Sequence, residues 1–228
     1  MTAPSMRLLA SVLCARLLLC AAQGWQPVPP CAAPAGIASP AVPESMCSRV
    51  VAAGSEVKVR EMGLPANETL VSGSFFAPQW AVAMGYGVSS LLDYFEGDNA
   101  PQRKLLGART TPITFRQRSF PNGTVYEWTS SMMVSTAAFP DPSLLPAPVD
   151  PIRLEPVGSR LVAVRQFFTV DFPSELDVTT LCAEINPGTV PHGYAIVKDS
   201  PWTPTYAFYS AERSQLYASE CWKEVRVV

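Results

Sequence analysis

The chain has 228 residues, enough for one ordinary domain or two small ones. Apolar residues make up 48% and charged residues 16%, which supports a packed core and excludes a charge-rich disordered polymer. A formal charge of −2 argues against a nucleic-acid binder, which carries a basic excess, and 23 prolines exclude an architecture of long helices.

Residues 1–24 read as an export signal. Arg7 supplies a positive start, Leu8 to Cys20 is apolar apart from Arg16, and Ala22-Gln23-Gly24 offers small residues for cleavage. The apolar run is short for a membrane span, and Arg16 argues against an uncleaved anchor. No later apolar run reaches the roughly 18 residues a spanning helix needs, so a secreted protein with no stable membrane span is expected. Cleavage removes Arg7 and Arg16, which turns 17 basic residues into 15 against 19 acidic ones, a balance of −4.

Residues 25–47 are rich in Pro and Ala and read as an extended arm. Val57 to Arg60 alternates apolar and basic side chains as a half-buried strand does, and Thr69 to Phe76 reads as its partner. The period then changes. Pro78 suits a first helical position, and Trp80, Met84, Val88, Leu91, Leu92 and Phe95 recur at helical spacing up to Gly97, a natural C-terminal stop. Gly85 and Gly87 each weaken that helix by about 1 kcal/mol relative to Ala, and they allow a backbone or a flat ligand to come close.

Strand signals return at Pro112 to Arg118, followed by the Pro121-Asn122-Gly123 turn and a strand from Val125 to Thr136. Phe139 to Pro151 is a Pro-rich connection. Arg160 to Phe168 predicts a central strand, Leu176 to Ile185 a short second helix, and 194–198, 205–210 and 222–228 the closing strands. The order suggests two similar halves.

Cys14 and Cys20 leave with the signal, so Cys31, Cys47, Cys182 and Cys221 remain. An even number in an exported chain predicts two disulfides. Three pairings are open, of which Cys31–Cys47 and Cys182–Cys221 are favoured because each pair is closest in sequence. A zinc site is the weaker reading: no C-x-x-C spacing occurs, and His192 is the one histidine. Asn67-Glu68-Thr69 and Asn122-Gly123-Thr124 are N-glycosylation sequons consistent with export.

Several segments together resemble the SOUL heme-binding family. VKVREM resembles its Y-E-V-R-x-Y strand through Val57, Val59 and Arg60, with Met62 in the place of the tyrosine. LLDYFEGDN resembles L-x-x-Y-I-x-G-x-N through Leu91, Tyr94, Gly97 and Asn99. ARTTPITF resembles K-M-T-A-P-V through Thr110, Pro112 and Ile113, departing at Arg109 and Thr111. SRLVAVRQF resembles a central strand of plant-type members. ECWKEVRVV resembles N-E-V-W through Glu224 and Val225, with Arg226 where tryptophan would stand. Cys31 and Cys47 resemble a C-x(n)-C-P arm, with Ser48 replacing the proline.

The resemblance covers residues 48–228. It implies an α+β fold, a distorted antiparallel β-barrel of two pseudo-repeats with one or two flanking helices. It also implies binding of heme or a related tetrapyrrole. Such a site needs an apolar slot and cations for propionates. The candidates are Trp80, Met84, Tyr86 and Val88 for the walls, with Arg103, Lys104 and Arg109 for the propionates. The histidine some members use on or before the first helix is absent, and His192 lies far along the chain.

Enzyme signatures are missing: no G-x-S-x-G, G-x-G-x-x-G or P-loop occurs. The expectation is therefore a non-catalytic secreted binder of a tetrapyrrole. Two alternatives remain, a carrier of another apolar small molecule and an interaction or structural module that has lost the ligand. A protein partner is not specified.

Overall fold

The computed structural model describes residues 48–62, 69–77, 79–105, 109–119, 126–134, 139, 141–169, 173–200, 202–209 and 217–228. Of Arg109 to Thr111, Ser119, Phe168, Tyr209, Tyr217 and Ala218 it describes the backbone alone. The signal, the arm, Cys31, Cys47, Asn67 and Asn122 lie outside the described residues.

Ten strands and two helices follow one another as β1 (Ser48–Ala53), β2 (Val57–Met62), β3 (Thr69–Ala77), α1 (Trp80–Glu96), β4 (Arg109–Ser119), β5 (Tyr126–Val134), β6 (Ile152–Pro156), β7 (Arg160–Thr169), α2 (Glu175–Ala183), β8 (Tyr194–Ile196), β9 (Thr205–Tyr209) and β10 (Tyr217–Val227). All pairings are antiparallel, in the order β1-β2-β7-β10-β9-β4-β5-β3-β6, with β8 on the far end of β10. The fold is thus α+β, an antiparallel sheet bent like an open barrel, with two flanking helices.

The two halves are visible in this order. β3-α1-β4-β5 and β7-α2-β9-β10 have the same course, and they meet along β4 and β9. Each half takes its outer strand from the segment preceding the other: β2 pairs with β7, and β6 pairs with β3. Two strands were not foreseen. β1 is a short apolar run beside Gly54, and β6 follows Pro151 and ends on Pro156, a residue that sheets admit at edges and strand ends.

The sheet is forced to curl. β6 and β7 stand ninth and third in the order, about 29 Å apart in a flat sheet. Yet residues 157–159 alone join them, a chain that spans at most about 14 Å. The two ends of the sheet are therefore drawn together. Met62 of β2 and Leu70 of β3 accordingly pack in one cluster on the inner, concave face.

The helices cover the outer, convex face. α1 lies on β3 and β5, and α2 lies on β7 and β10. α1 stops at Gly97, whose φ of 117° is a left-handed conformation, with Asp98 N–H closing back to Asp93 O at 2.9 Å. α2 starts at a capping box in which Ser174 and Asp177 bond each other's backbone N–H groups. Cys182 on α2 is disulfide-bonded to Cys221 on β10, with Cα atoms 5.3 Å apart. Closing that 39-residue separation stabilises by about 4 kcal/mol in the chain-entropy model.

Gly87 explains how closely α1 approaches the sheet. A Cβ there would lie 2.8 Å from Ser130 and 2.9 Å from Phe75, whereas one at Gly85 would meet nothing within 4 Å. G87A is therefore expected to destabilise by about 1–3 kcal/mol. G85A is expected to stabilise by about 0.5–1 kcal/mol through helix propensity. Urea unfolding of both variants against the wild type checks the opposite signs.

Tyr94 and Tyr206 are buried in this outer core, and Tyr94 donates to Pro146 O at 2.9 Å. Burial raises both phenols to about 12, with Glu175 adding to the effect at Tyr206. In the unfolded chain they ionise near 10. The unfolded state thus loses its protons first, so this stabilisation is complete below pH 10 and is lost as the pH rises through 12. Chemical denaturation at stepped alkaline pH should show that decline, reduced in Y94F.

Candidate functional site

The expected site residues whose side chains are described lie in different surroundings. Trp80 is buried in an aromatic group, its ring centre 5.4–6.1 Å from those of Phe115, Trp128, Tyr206 and Phe208. It therefore sits over the β4–β9 seam and fastens the two halves. Met84 and Val88 are buried in the same core. Tyr86 points the other way and is 67% exposed. Arg103 and Lys104 are exposed beyond the end of α1, and the Arg103 guanidinium lies 5.5 Å from the Phe139 ring centre. Arg109 opens β4, paired with Val134, and its side chain lies outside the described residues. The close approach that Gly87 permits is to Ser130 and Phe75, not to a ligand.

The concave face has a different chemistry. Its strand positions carry Met62, Leu70, Met133, Val162, Val164 and Trp222 as an apolar cluster. Beside them lie buried hydroxyls. Ser72 donates to Ser131 Oγ at 2.9 Å, Thr114 donates to Ser131 O at 3.4 Å, and Thr205 donates to Trp202 O at 3.0 Å. A buried ion pair spans the same face: Arg60 Nη1 lies 3.1 Å from Glu220 Oε1, and Trp222 Nε1 donates to Glu220 Oε2 at 2.8 Å. On the convex side the buried side chains are overwhelmingly apolar.

The segment between β8 and β9 brings Trp202 over the apolar cluster. Its indole lies between two guanidinium groups, Arg116 at 3.8 Å and Arg160 at 3.5 Å from the ring centre. Both contacts are well inside the range of cation–π attraction. The segment is latched from β10: Ser200 O–H donates to the Glu224 carboxylate, and Glu224 N–H donates to Thr203 Oγ1 at 2.9 Å. Arg116 is paired with Glu155 at 3.1 Å, and Glu155 also holds Arg153 at 2.7 Å. A recess remains beneath Trp202, lined by Met62, Leu70, Val157, Arg160, Val162 and Trp222. Its volume is about 10 Å³, room for roughly one water molecule with Trp202 in place.

Trp202, Trp222 and the arginines around them come from separate segments, and no sequence motif links them. The signal present was β7 itself. Leu161 and Ala163 alternate with Val162 and Val164, so both faces of the strand are apolar, as in a strand covered on two sides. Arg160 is in phase with the inner pair.

Among the described residues no three His, Cys, Asp or Glu side chains come together as a metal cluster, and His192 is exposed. No described helix is long and apolar enough to cross a membrane.

No family model and no curated protein matches the chain. Solved structures similar to it include the EcmrR C-terminal domain, at 10% identity and a TM-score of 0.49, covering 76% of this chain and 98% of that one. A hydrolase from Listeria innocua follows at 10% identity and 0.48, covering 77% and 94%. SAV2435 bound to tetraphenylphosphonium is similar at 12% identity and 0.35, covering 75% and 94%. A likeness at these scores transfers neither ligand nor activity.

The Arg60–Glu220 pair generates a stability prediction. E220Q leaves a buried guanidinium without its counter-charge and should cost about 3–5 kcal/mol. The double variant R60M/E220L, which removes both charges, should recover much of that loss. A double-mutant cycle by urea unfolding measures both.

Proposed function

We propose that the protein is a non-catalytic, extracellular binding module that takes a flat apolar ligand, a tetrapyrrole or a smaller aromatic molecule, at the concave face of its sheet. The supporting observation is the Trp202 indole held between Arg116 and Arg160. A planar π system flanked by two guanidinium planes, above an apolar recess, is the arrangement a flat ligand would adopt on displacing the indole.

This reading moves the ligand from the helix to the opposite side of the sheet. Pockets for drug-sized ligands measure about 300–1,000 Å³. The recess, at about 10 Å³, is far below that range, so a flat ligand enters only when the Trp202 segment swings away. The resemblance to SOUL proteins supports the ligand class, and the missing enzyme motifs support the non-catalytic reading.

Hemin titration followed at the Soret band tests the proposal. At micromolar protein the band should sharpen and shift relative to free hemin. W202A should bind about tenfold more tightly, because it vacates the slot at no cost in displacement. A smaller aromatic probe, anilinonaphthalene sulfonate, should respond to W202A in the same direction. If hemin and the smaller probe both leave wild type and W202A unchanged, the proposal fails. The second reading then stands, an interaction or structural module without a ligand, which the solid packing of the helical side favours.

A further inference from the structure

Arg160 differs from the other arginines of the concave face. Arg60 has Glu220, and Arg116 and Arg153 share Glu155. Arg160 has no carboxylate within ion-pair distance among the described residues. Its one hydrogen bond is from Nε to Gly158 O at 3.2 Å, and its Nη1 is buried without a partner. The Nε of Arg116, on the other face of the same indole, is also buried without a partner. A buried donor on a cation costs free energy until an acceptor reaches it.

The nearby acids do not meet that demand. Glu155 is divided between Arg116 and Arg153, and Glu224 accepts from Ser200. Two guanidinium groups thus stand against Trp202, and the two nearby carboxylates are already engaged, Glu155 with Arg116 and Arg153 and Glu224 with Ser200. Burial pushes the Arg160 guanidinium down to about 10; Glu224 and Glu155 oppose that shift and Arg116 adds to it. Arg160 also lines the recess whose other walls are Met62, Leu70, Val157, Val162 and Trp222. One rim cation over an apolar floor is complementary to a molecule with one anionic end and a compact apolar body.

We infer that the recess, enlarged by the departure of the Trp202 indole, binds a small apolar carboxylate, with its carboxylate on Arg160 and its body against Met62, Val162 and Trp222. The inference rests on the concave face being the ligand site, and it adds the charge and the size of the ligand. The fork of guanidinium donors suits the two oxygens of a carboxylate, which a lysine ammonium does not match.

Thermal unfolding of the whole protein with benzoate as the probe tests it. Benzamide serves as the uncharged control, and inorganic phosphate as an anion without an apolar body. Benzoate should raise Tm saturably, by roughly 5 °C or more at a hundredfold excess over Kd. Benzamide and phosphate should each shift it by less than about 1 °C. R160Q should abolish the benzoate shift while keeping the wild-type circular dichroism, and R160K should keep part of it. If R160Q fails to fold, the R160K response decides, since a site built on the guanidinium fork loses most of its shift there. Equal shifts with benzoate and benzamide, a phosphate shift matching that of benzoate, no shift at all, or an undiminished benzoate shift in both Arg160 variants would each overturn the inference. An Arg160-dependent benzoate shift without hemin binding sustains this inference and removes the tetrapyrrole. Hemin binding that R160Q leaves unchanged, with no benzoate shift, does the reverse.

Discussion

The three residues between β6 and β7 constrain everything else. They tie the ninth strand of the sheet to the third, and a flat sheet cannot satisfy that tie. The reciprocal pairing of β2 with β7 and β6 with β3 enforces the same closure, because each half is completed by strand from the other. Neither half has a full sheet of its own, so the two fold as one unit. Curling gives the sheet two unequal sides, a convex one long enough for two helices and a concave one too narrow for either.

The two sides solve burial differently. On the convex side, helices supply apolar side chains in quantity, and aromatic contacts around Trp80 fill the junction of the halves. On the concave side none of the described helices covers the strands. The face is filled by its own side chains and by one segment carrying Trp202. Several polar groups persist there on a partner across a strand, as Ser72 does with Ser131 and Arg60 with Glu220. Pairs of that kind add little net stability, but they fix register, since a one-residue slip would strand a charge in the core.

Trp202 is the least committed part of this interior. It stands on a segment held by Ser200, Thr203 and Glu224, and its ring is gripped by side chains alone. Elements held by a few polar contacts open at lower cost than core strands do. In the proposed binding mode a flat ligand takes the place of the indole, exchanging one π system for another between the same guanidinium planes.

Much of the architecture was legible in the sequence. The helical stripe from Trp80 to Phe95, the alternation in Arg160 to Phe168 and the turn residues between them determined the element types, because period and punctuation are local properties. The proximity of Cys182 and Cys221 along the chain likewise pointed to their bond. The site was not legible in that way. Trp80, Met84 and Val88 have the composition of a pocket wall and the packing of a core, and only the partner surface distinguishes the two. Arg116, Arg160 and Trp202 come from three separate segments that the curl of the sheet brings together. A strand pattern shows which residues share a face, but it does not show which way the sheet bends. The short connection from β6 to β7 draws the ends of the sheet together, and with α1 and α2 packed on one face the other became the enclosed one.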